Sequence, residues 1–557
     1  MPATRDAKRR RAAPRRVAGL CALFAPAVLA LLVATGCGPG GPISARLHAD
    51  VQRPHPGVVL FLCDGLGADV VEQGCREGRL PNIQRRFVTG GTRVEQAMTC
   101  VPAITYGAVA TLLTGTGPGT HTVVGNRWFD PEYAFFRNYA TIEDYRDINY
   151  DCAEPTIYQI IHPAPSLSIQ AAQTRGVTEN IANWAVSGVM WFFHDYTAVD
   201  KLTATSLWRV AGWANDHKQW PTLLTCYFPG ADSIGHRFGP DSPQYRRAVE
   251  HLDYQVGRVC DWLEAQGLLS TTYLVLASDH GMMDVAPDGF IDLERLVRAQ
   301  WGRNATDFTL QEGPGAWRRA HFDRFDTVVA YHNGRGAFLY FRGPGGWQDR
   351  PAPDEVEAIL AAPSPETQLW NIPGVELVVN LAAEDEAILR VEGGVARILV
   401  RDGPRGPEFA YRPDPDDVLG YLDNPDLAAF VSAGFHPSRA WLRATVDQVF
   451  PDLVPHVIPL LRVRRAGEVV VFTKPGYSFA RERGGHGGIR REELRIPFML
   501  AGPGIARGGT IDMARSVDLV PTVLDLLDID PHERPWLEGV SLANATLAAA
   551  RSQSAAP

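Results

Sequence analysis

Asp64 in Cys63-Asp64-Gly65, Asp232 and His236 in Gly230-Ala-Asp232-Ser-Ile-Gly-His236, Asp279 and His280 in Ser278-Asp279-His280-Gly281, and His486 in Gly484-Gly-His486-Gly-Gly488 share a pattern. Each follows an apolar run, and each has glycine close by, so that backbone does not block access. Taken singly, an Asp-Gly is a turn residue and a histidine is a hydrogen-bonded core residue. Taken together, three carboxylates and three imidazoles make a mixed nitrogen and oxygen donor set. That set suits Zn²⁺, and it holds enough ligands for two ions.

A nucleophile stands in Cys100-Val-Pro-Ala-Ile-Thr105-Tyr-Gly, and the residues from Thr105 to Thr114-Gly115 have the pattern of a short helix. A hydroxyl at a helix N-terminus lies among unpaired N–H groups and the positive end of the dipole. Both favour an alkoxide and a phosphoryl dianion. A threonine hydroxyl is a weak nucleophile on its own, and a metal ion activates it. The other reading of Thr105 is a plain N-cap.

These groups need a scaffold. Apolar runs of strand type cover 57–63, 222–228, 272–277, 469–472 and 496–500. Continuous runs of this kind suit strands covered on both faces, as in a parallel sheet between helices. Residues 246–266 read as a helix, and so do 517–527, with Pro521 early in the second. The alternation predicts an α/β fold with the ligands at the carboxyl ends of the strands. Between His280 and His486 lie roughly 200 residues rich in Pro and Gly, too many for one crossover connection. Part of that stretch, within 285–465, reads as an inserted cap.

The first 36 residues are set apart by seven basic groups and an apolar stretch at 17–33, which reads as an export signal. Val33-Ala34-Thr35-Gly36-Cys37 is similar to a bacterial lipoprotein signal, with Ala34 where leucine is usual and Cys37 as the lipidated residue. A simply cleaved signal and a retained transmembrane helix are the other readings. All three put the rest of the chain outside the cytoplasm. Residues 37–55 read as a tether, 56–545 as the catalytic domain and 546–557 as a disordered tail. The whole chain carries −9; without the first 36 residues and their single acid, Asp6, about −15 remains. So acidic a protein lacks the basic surface that nucleic acid requires. Cys63, Cys75, Cys100, Cys152, Cys226 and Cys260 remain beyond Cys37. Cys63 and Cys226, in strand-like runs, read as buried thiols.

Asp64-Gly65, Thr105 to Gly115, Pro118-x-x-His121, Gly125-Asn126, Asp232-x-x-Gly-His236, Ser278-Asp279-His280-Gly281 and Gly485-His486-Gly487 occur in one order. In that order they resemble the alkaline phosphatase superfamily, specifically its type I phosphodiesterase/nucleotide pyrophosphatase branch. The resemblance covers most of 56–530, and Asp518-Leu-Val-Pro-Thr-Val-Leu-Asp525 looks like the superfamily's closing helix. It implies an alkaline-phosphatase-like, mostly parallel sheet between helices. It also implies two Zn²⁺ ions, one held by Asp232, His236 and His486, the other by Asp64, Asp279 and His280 with Thr105. Thr105 would form the covalent phosphothreonine intermediate. Asn126 matches the family's donor to a nonbridging phosphoryl oxygen. Thr122 stands where the family usually has glycine.

Sulfatases of the superfamily carry Cys-x-Pro-x-Arg. Here Ile104 stands where the arginine belongs, and Thr105 rather than Cys100 keeps the register to Gly115. Related monoesterases carry a Lys-x-Arg pair that grips a dianion; the corresponding 186–200 has neither residue type, which favours a monoanionic diester. A small phosphate ester or nucleotide is the implied substrate. A phosphomonoesterase, a phosphonate hydrolase and a metal-binding lipoprotein without catalysis stay as alternatives. Trp128-Phe129 and Trp191-Phe192-Phe193 read either as core or as a wall against which a nucleobase stacks.

Overall fold

The computed structural model describes residues 43–54, 56–141, 144–181, 196–307, 319–413 and 416–547. Cys37 with the rest of 37–42 and His55 of the tether, Trp191-Phe192-Phe193 and nearly all of 546–557 lie outside the described residues.

The strand Gly57–Cys63 is buried along its whole length. Its side chains alternate between two layers. Val59, Phe61 and Cys63 join a cluster with Val210, Val249, Leu252 and Val256, from the helices Leu207–His217 and Pro243–Ala265. Val58, Leu60 and Leu62 join Val109, Leu112, Leu113, Leu519 and Val523, from Thr105–Thr114 and Leu519–Leu526. A strand with two apolar faces is stable only when helices cover both. Each such side chain contributes on the order of 1.5–3 kcal/mol by leaving water.

Nine strands make this sheet. In spatial order they are Arg495–Ile496, Gly91–Met98, Phe498–Ala501, Thr272–Ser278, Gly57–Cys63, Leu223–Phe228, Ser166–Ile169 and Glu179–Ile181, with Gly509–Arg515 branching off this order and pairing in parallel with Gly91–Met98. The centre is parallel, and the pairings of Phe498–Ala501 and Arg495–Ile496 are antiparallel. The run 496–500, expected as one strand, is broken at Pro497, which has no N–H to give a ladder. The register puts Cys63 opposite both Phe228 and Ser278. Three neighbouring strands therefore end level, and the residues that follow them emerge on one rim.

A second nine-stranded sheet comes from the long insertion, running Ala305–Thr306, Thr327–Asn333, Gly336–Phe341, Val469–Thr473, Val375–Ala383, Glu386–Val391, Gly394–Gly403, Gly406–Pro413 and His436–Pro437. Val469–Thr473 corrects the sequence reading. It lies antiparallel between Gly336–Phe341 and Val375–Ala383, not in the first sheet. An apolar run reports two covered faces, and Val470 and Phe472 face one core while Val469 and Val471 face another. It does not report which sheet the strand joins. The six cysteines among the described residues are free, with Cys63 and Cys226 buried as expected.

Candidate active site

Asp64 follows Cys63 directly, and Asp279 and His280 follow Ser278. Pro229 leads into the helix Gly230–Phe238, which carries Asp232 and His236 one turn apart. Gly65 allows these loops to meet. Its φ is +67°, and a Cβ there would lie 2.7 Å from Asp232 Cα. His486 arrives from the far end of the chain, in a loop with Gly487 at φ +95°, where a Cβ would lie 2.4 Å from Asn333 O.

Two groups of ligand atoms result. Asp64, Asp279 and His280 form one, and Asp232, His280 and His486 the other, each within 4.8 Å. His280 thus belongs to both, a sharing that residue spacing did not reveal. Its Nε2 lies 3.4 Å from Asp64 Oδ1, 3.4 Å from Asp279 Oδ2 and 3.1 Å from Thr105 Oγ1. His236 joins the second group through Nε2, 3.2 Å from Asp232 Oδ1 and 3.1 Å from His486 Nε2.

Each imidazole is oriented through its other nitrogen. Nδ1 meets the carbonyl of Gly281 in His280, of Ala103 in His486 and of Gly484 in His236, all at 2.9 Å. A donated Nδ1–H leaves Nε2 as the lone-pair donor, the arrangement of ligand histidines. Tyr227 donates its hydroxyl to Asp64 Oδ2. Gly65 N and His280 N donate to Asp279 Oδ1 at 3.1 and 2.9 Å.

The opposite oxygens are left over. Asp64 Oδ1, Asp232 Oδ1 and Asp279 Oδ2 are buried and accept no hydrogen bond. Burial raises the Asp64 carboxyl well above the usual range, and Asp279 and Asp232 push it further. Burial raises Asp279 as well. Asp232 is also buried, but His236, His486 and His280 outweigh that and lower it. Burial, then His280 beside it, drives His486 well below its ordinary value. Buried carboxylates carry such a cost unless cations offset it. The donor set and its orphaned oxygens fit divalent cations.

Thr105 is the first residue of its helix. The capping position belongs to Ile104, which is extended and makes no side-chain cap. The N-cap alternative therefore does not apply, and the hydroxyl faces His280. The next N–H, of Tyr106, donates to Asn126 Oδ1 at 3.0 Å. That leaves the amide NH₂ as the donor end of Asn126. Cys100 is buried, its thiol pushed up to about 12 by desolvation, and it donates to Pro102 O. Such a thiol is inert. Thr122 has φ 65°, the left-handed region in which glycine is at ease. Its hydroxyl contacts Asp151 O and the Arg465 guanidinium.

Trp128 and Phe129 are fully buried. Trp128 packs on Phe135 and Tyr139, and Phe129 on Phe322, Tyr340 and Trp347, so they are core and form no stacking wall. Sequence reasoning missed Arg335 and Glu493, both 0% exposed and 3.2 Å apart. Arg335 N donates to His486 O, Glu493 Oε1 accepts from Gly488 N, and Glu493 O accepts from Gly281 N. This ion pair braces the histidine loops against the inserted sheet. Nothing in the local sequence of either residue marks it.

The model of the type I phosphodiesterase / nucleotide pyrophosphatase family matches residues 58–345. An uncharacterised pyrophosphatase/phosphodiesterase of Schizosaccharomyces pombe is 24% identical over 245 residues, 43% of this chain and 47% of that protein. A bis(5'-adenosyl)-triphosphatase of Bos taurus, ENPP4, is 25% identical over 240 residues, 43% and 50% of the two chains. Venom phosphodiesterase 2 of Crotalus adamanteus is 24% identical over 264 residues, covering 46% and 30%. The chain thus spans about half or less of the length of these curated relatives. Murine ectonucleotide pyrophosphatase/phosphodiesterase 5 superposes with a TM-score of 0.52 over 87% of this chain and 96% of that one, at 16% identity, a likeness of fold. The family match covers more than half of the sequence, and the chain belongs to the type I phosphodiesterase / nucleotide pyrophosphatase family.

Proposed function

We propose that this chain is a two-zinc hydrolase of phosphate esters that works through a covalent phosphothreonine at Thr105. The observation that carries this reading is the convergence of three buried carboxylate oxygens that accept no hydrogen bond and three oriented imidazoles, with the Thr105 hydroxyl 3.1 Å from one of those imidazoles, His280. Asp232, His236 and His486 would hold one ion. Asp64, Asp279 and His280 would hold the other, with Thr105 beside it. Bound there, zinc lowers the pKa of a coordinated hydroxyl and offsets phosphoryl charge.

The chain's own residues do the rest. Thr105 Oγ1 attacks phosphorus, the bond to the leaving oxygen breaks, and the alcohol or nucleoside phosphate departs. Water then attacks the phosphothreonine, which frees Thr105 and releases the phosphate product. Asn126 donates its amide to a nonbridging oxygen. The N-terminal N–H groups of the Thr105–Thr114 helix stabilise the charge that builds there.

A diester or pyrophosphate, including a nucleotide, is the favoured substrate, since residues 186–200 offer no Lys or Arg for a second negative charge. The first 36 residues and Cys37 support export and lipid anchoring, with the enzyme outside the cytoplasm. The experiment is a substrate panel on the zinc-loaded protein. Faster turnover of a bis-aryl diester than of an aryl monoester supports the reading. Preference for the monoester, turnover of phosphonoacetate, or inertness toward every ester each contradicts it.

A further inference from the structure

The two candidate metal groups are unequal in charge. Asp64 and Asp279 give one of them two carboxylates, enough to balance a divalent ion. The other has Asp232 alone among its proposed ligands, with His236 and His486. A second carboxylate stands directly behind it. Glu482 Oε2 lies 2.7 Å from His236 Nδ1. Its other oxygen, Oε1, accepts from Ser478 Oγ at 2.5 Å. The side chain is 9% exposed, so little water screens it.

The neighbourhood is shaped to hold that carboxylate against the ring. Arg483 N donates to His236 O at 2.8 Å, and Gly484 O lies 2.9 Å from His236 Nδ1. Residues 482–484 therefore grip His236 at both its backbone and its imidazole. Gly485 leaves the room, since a Cβ there would come within 2.6 Å of Glu482 Oε1. The partners of His280 and His486 on the same nitrogen are neutral carbonyls, Gly281 O and Ala103 O. Among the described residues, His236 is the ligand histidine with a carboxylate behind it.

We propose that Glu482 is a positioning residue for the Asp232/His236/His486 metal group, holding His236 with Nε2 toward the ion and supplying the second negative charge that group lacks. The inference rests on the two-metal reading above. A carboxylate behind a ligand imidazole fixes its tautomer and strengthens it as a donor, and removing such a partner weakens metal binding about 10–100-fold. The charge acts through the ring, so the effect belongs to one ion and leaves the other unchanged.

The experiment compares wild type with Glu482→Gln and Glu482→Ala, using zinc itself as the probe. Stepwise competition with a chromogenic chelator gives the affinity of each ion. Glu482→Gln preserves length and the contact with Ser478, so the metal-free protein should melt as wild type does. One zinc should bind about 10–100-fold more weakly while the other keeps its affinity. The zinc needed for half-maximal turnover should rise by the same factor, with kcat regained at saturating zinc. A purely structural role would not be rescued by added metal. Unchanged affinity at both ions in Glu482→Gln overturns the proposal, as does a kcat loss that zinc does not reverse. A wild-type chain that binds only one ion instead overturns the two-metal reading.

Discussion

The rings of His280 and His486 lie stacked, with centroids 3.5 Å apart and 9° between their planes. The two histidines come from loops about 200 residues apart in sequence, and they form a common wall between the two ligand groups. The stacked rings hold the two ligand groups side by side.

Metal removal should accordingly abolish turnover in full. Zinc should restore it better than magnesium, because half of the donors are imidazole nitrogens. Metal analysis of fully active protein should find two ions per chain. One ion per chain at full activity would refute the assignment.

The Arg335–Glu493 pair makes a stability prediction. Both residues are fully buried, so Arg335→Met leaves a carboxylate without its partner. Loss of one member of such a pair costs about 3–5 kcal/mol, whereas replacing both by apolar groups costs much less. Urea unfolding of Arg335→Met and of the Arg335→Met/Glu493→Leu double variant measures the difference. Equal stabilities would show that the charge pair is not what braces the loops.

Asp200 gives a pH signature. It is fully buried, its Oδ1 accepts from Gly230 N at 2.9 Å, and Oδ2 has no partner. Burial raises its carboxyl from 3.8 to about 8, the Gly230 N–H opposing. A raised acid keeps its proton in the folded chain while the unfolded chain has lost it. Its contribution is therefore complete below about pH 4 and is lost as pH rises toward 8. Asp200→Asn keeps an acceptor for Gly230 and removes the titration. The variant should lose less stability than wild type between pH 5 and 8, by up to about 1.4 kcal/mol per pH unit. Identical pH slopes in chemical denaturation would contradict the neutral, buried carboxyl.

Anchoring turns on Cys37. Cys37→Ser should shift the expressed protein from the membrane fraction to the soluble one if a lipid on that thiol holds it. Unchanged membrane retention would mean that the apolar stretch 17–33 stays on the chain as a helix.

Much of this site was legible because its residues sit where strands end, and strand ends are read from apolar runs. Asp64 and Asp279 were placed by the runs 57–63 and 272–277, and the register of those strands then set them side by side. The helix beginning at Thr105 was legible from its closing Gly115, which is left-handed at φ 73°. The role of Val469–Thr473 was not legible. Its sequence is equally apolar on both faces, and membership of a sheet is decided by long-range pairing. Glu482, Tyr227 and Arg335 were invisible for a related reason. Their partners His236, Asp64 and Glu493 lie far along the chain, and side-chain contacts of that kind leave no local pattern.

The central claim is that Thr105 is the nucleophile, and turnover of a bis-aryl phosphodiester by Thr105→Ala, with zinc content measured on the same sample, tests it most directly. Asp64, Asp279 and His280 remain in that variant, so zinc content should change little. Turnover should fall by several orders of magnitude, as nucleophile deletions do when only binding and electrostatics remain. Thr105→Ser should keep substantial activity, because the hydroxyl survives, and Cys100→Ala should be nearly silent. A Thr105→Ala enzyme that turns over near the wild-type rate, alongside a dead Cys100→Ala enzyme, would contradict the mechanism.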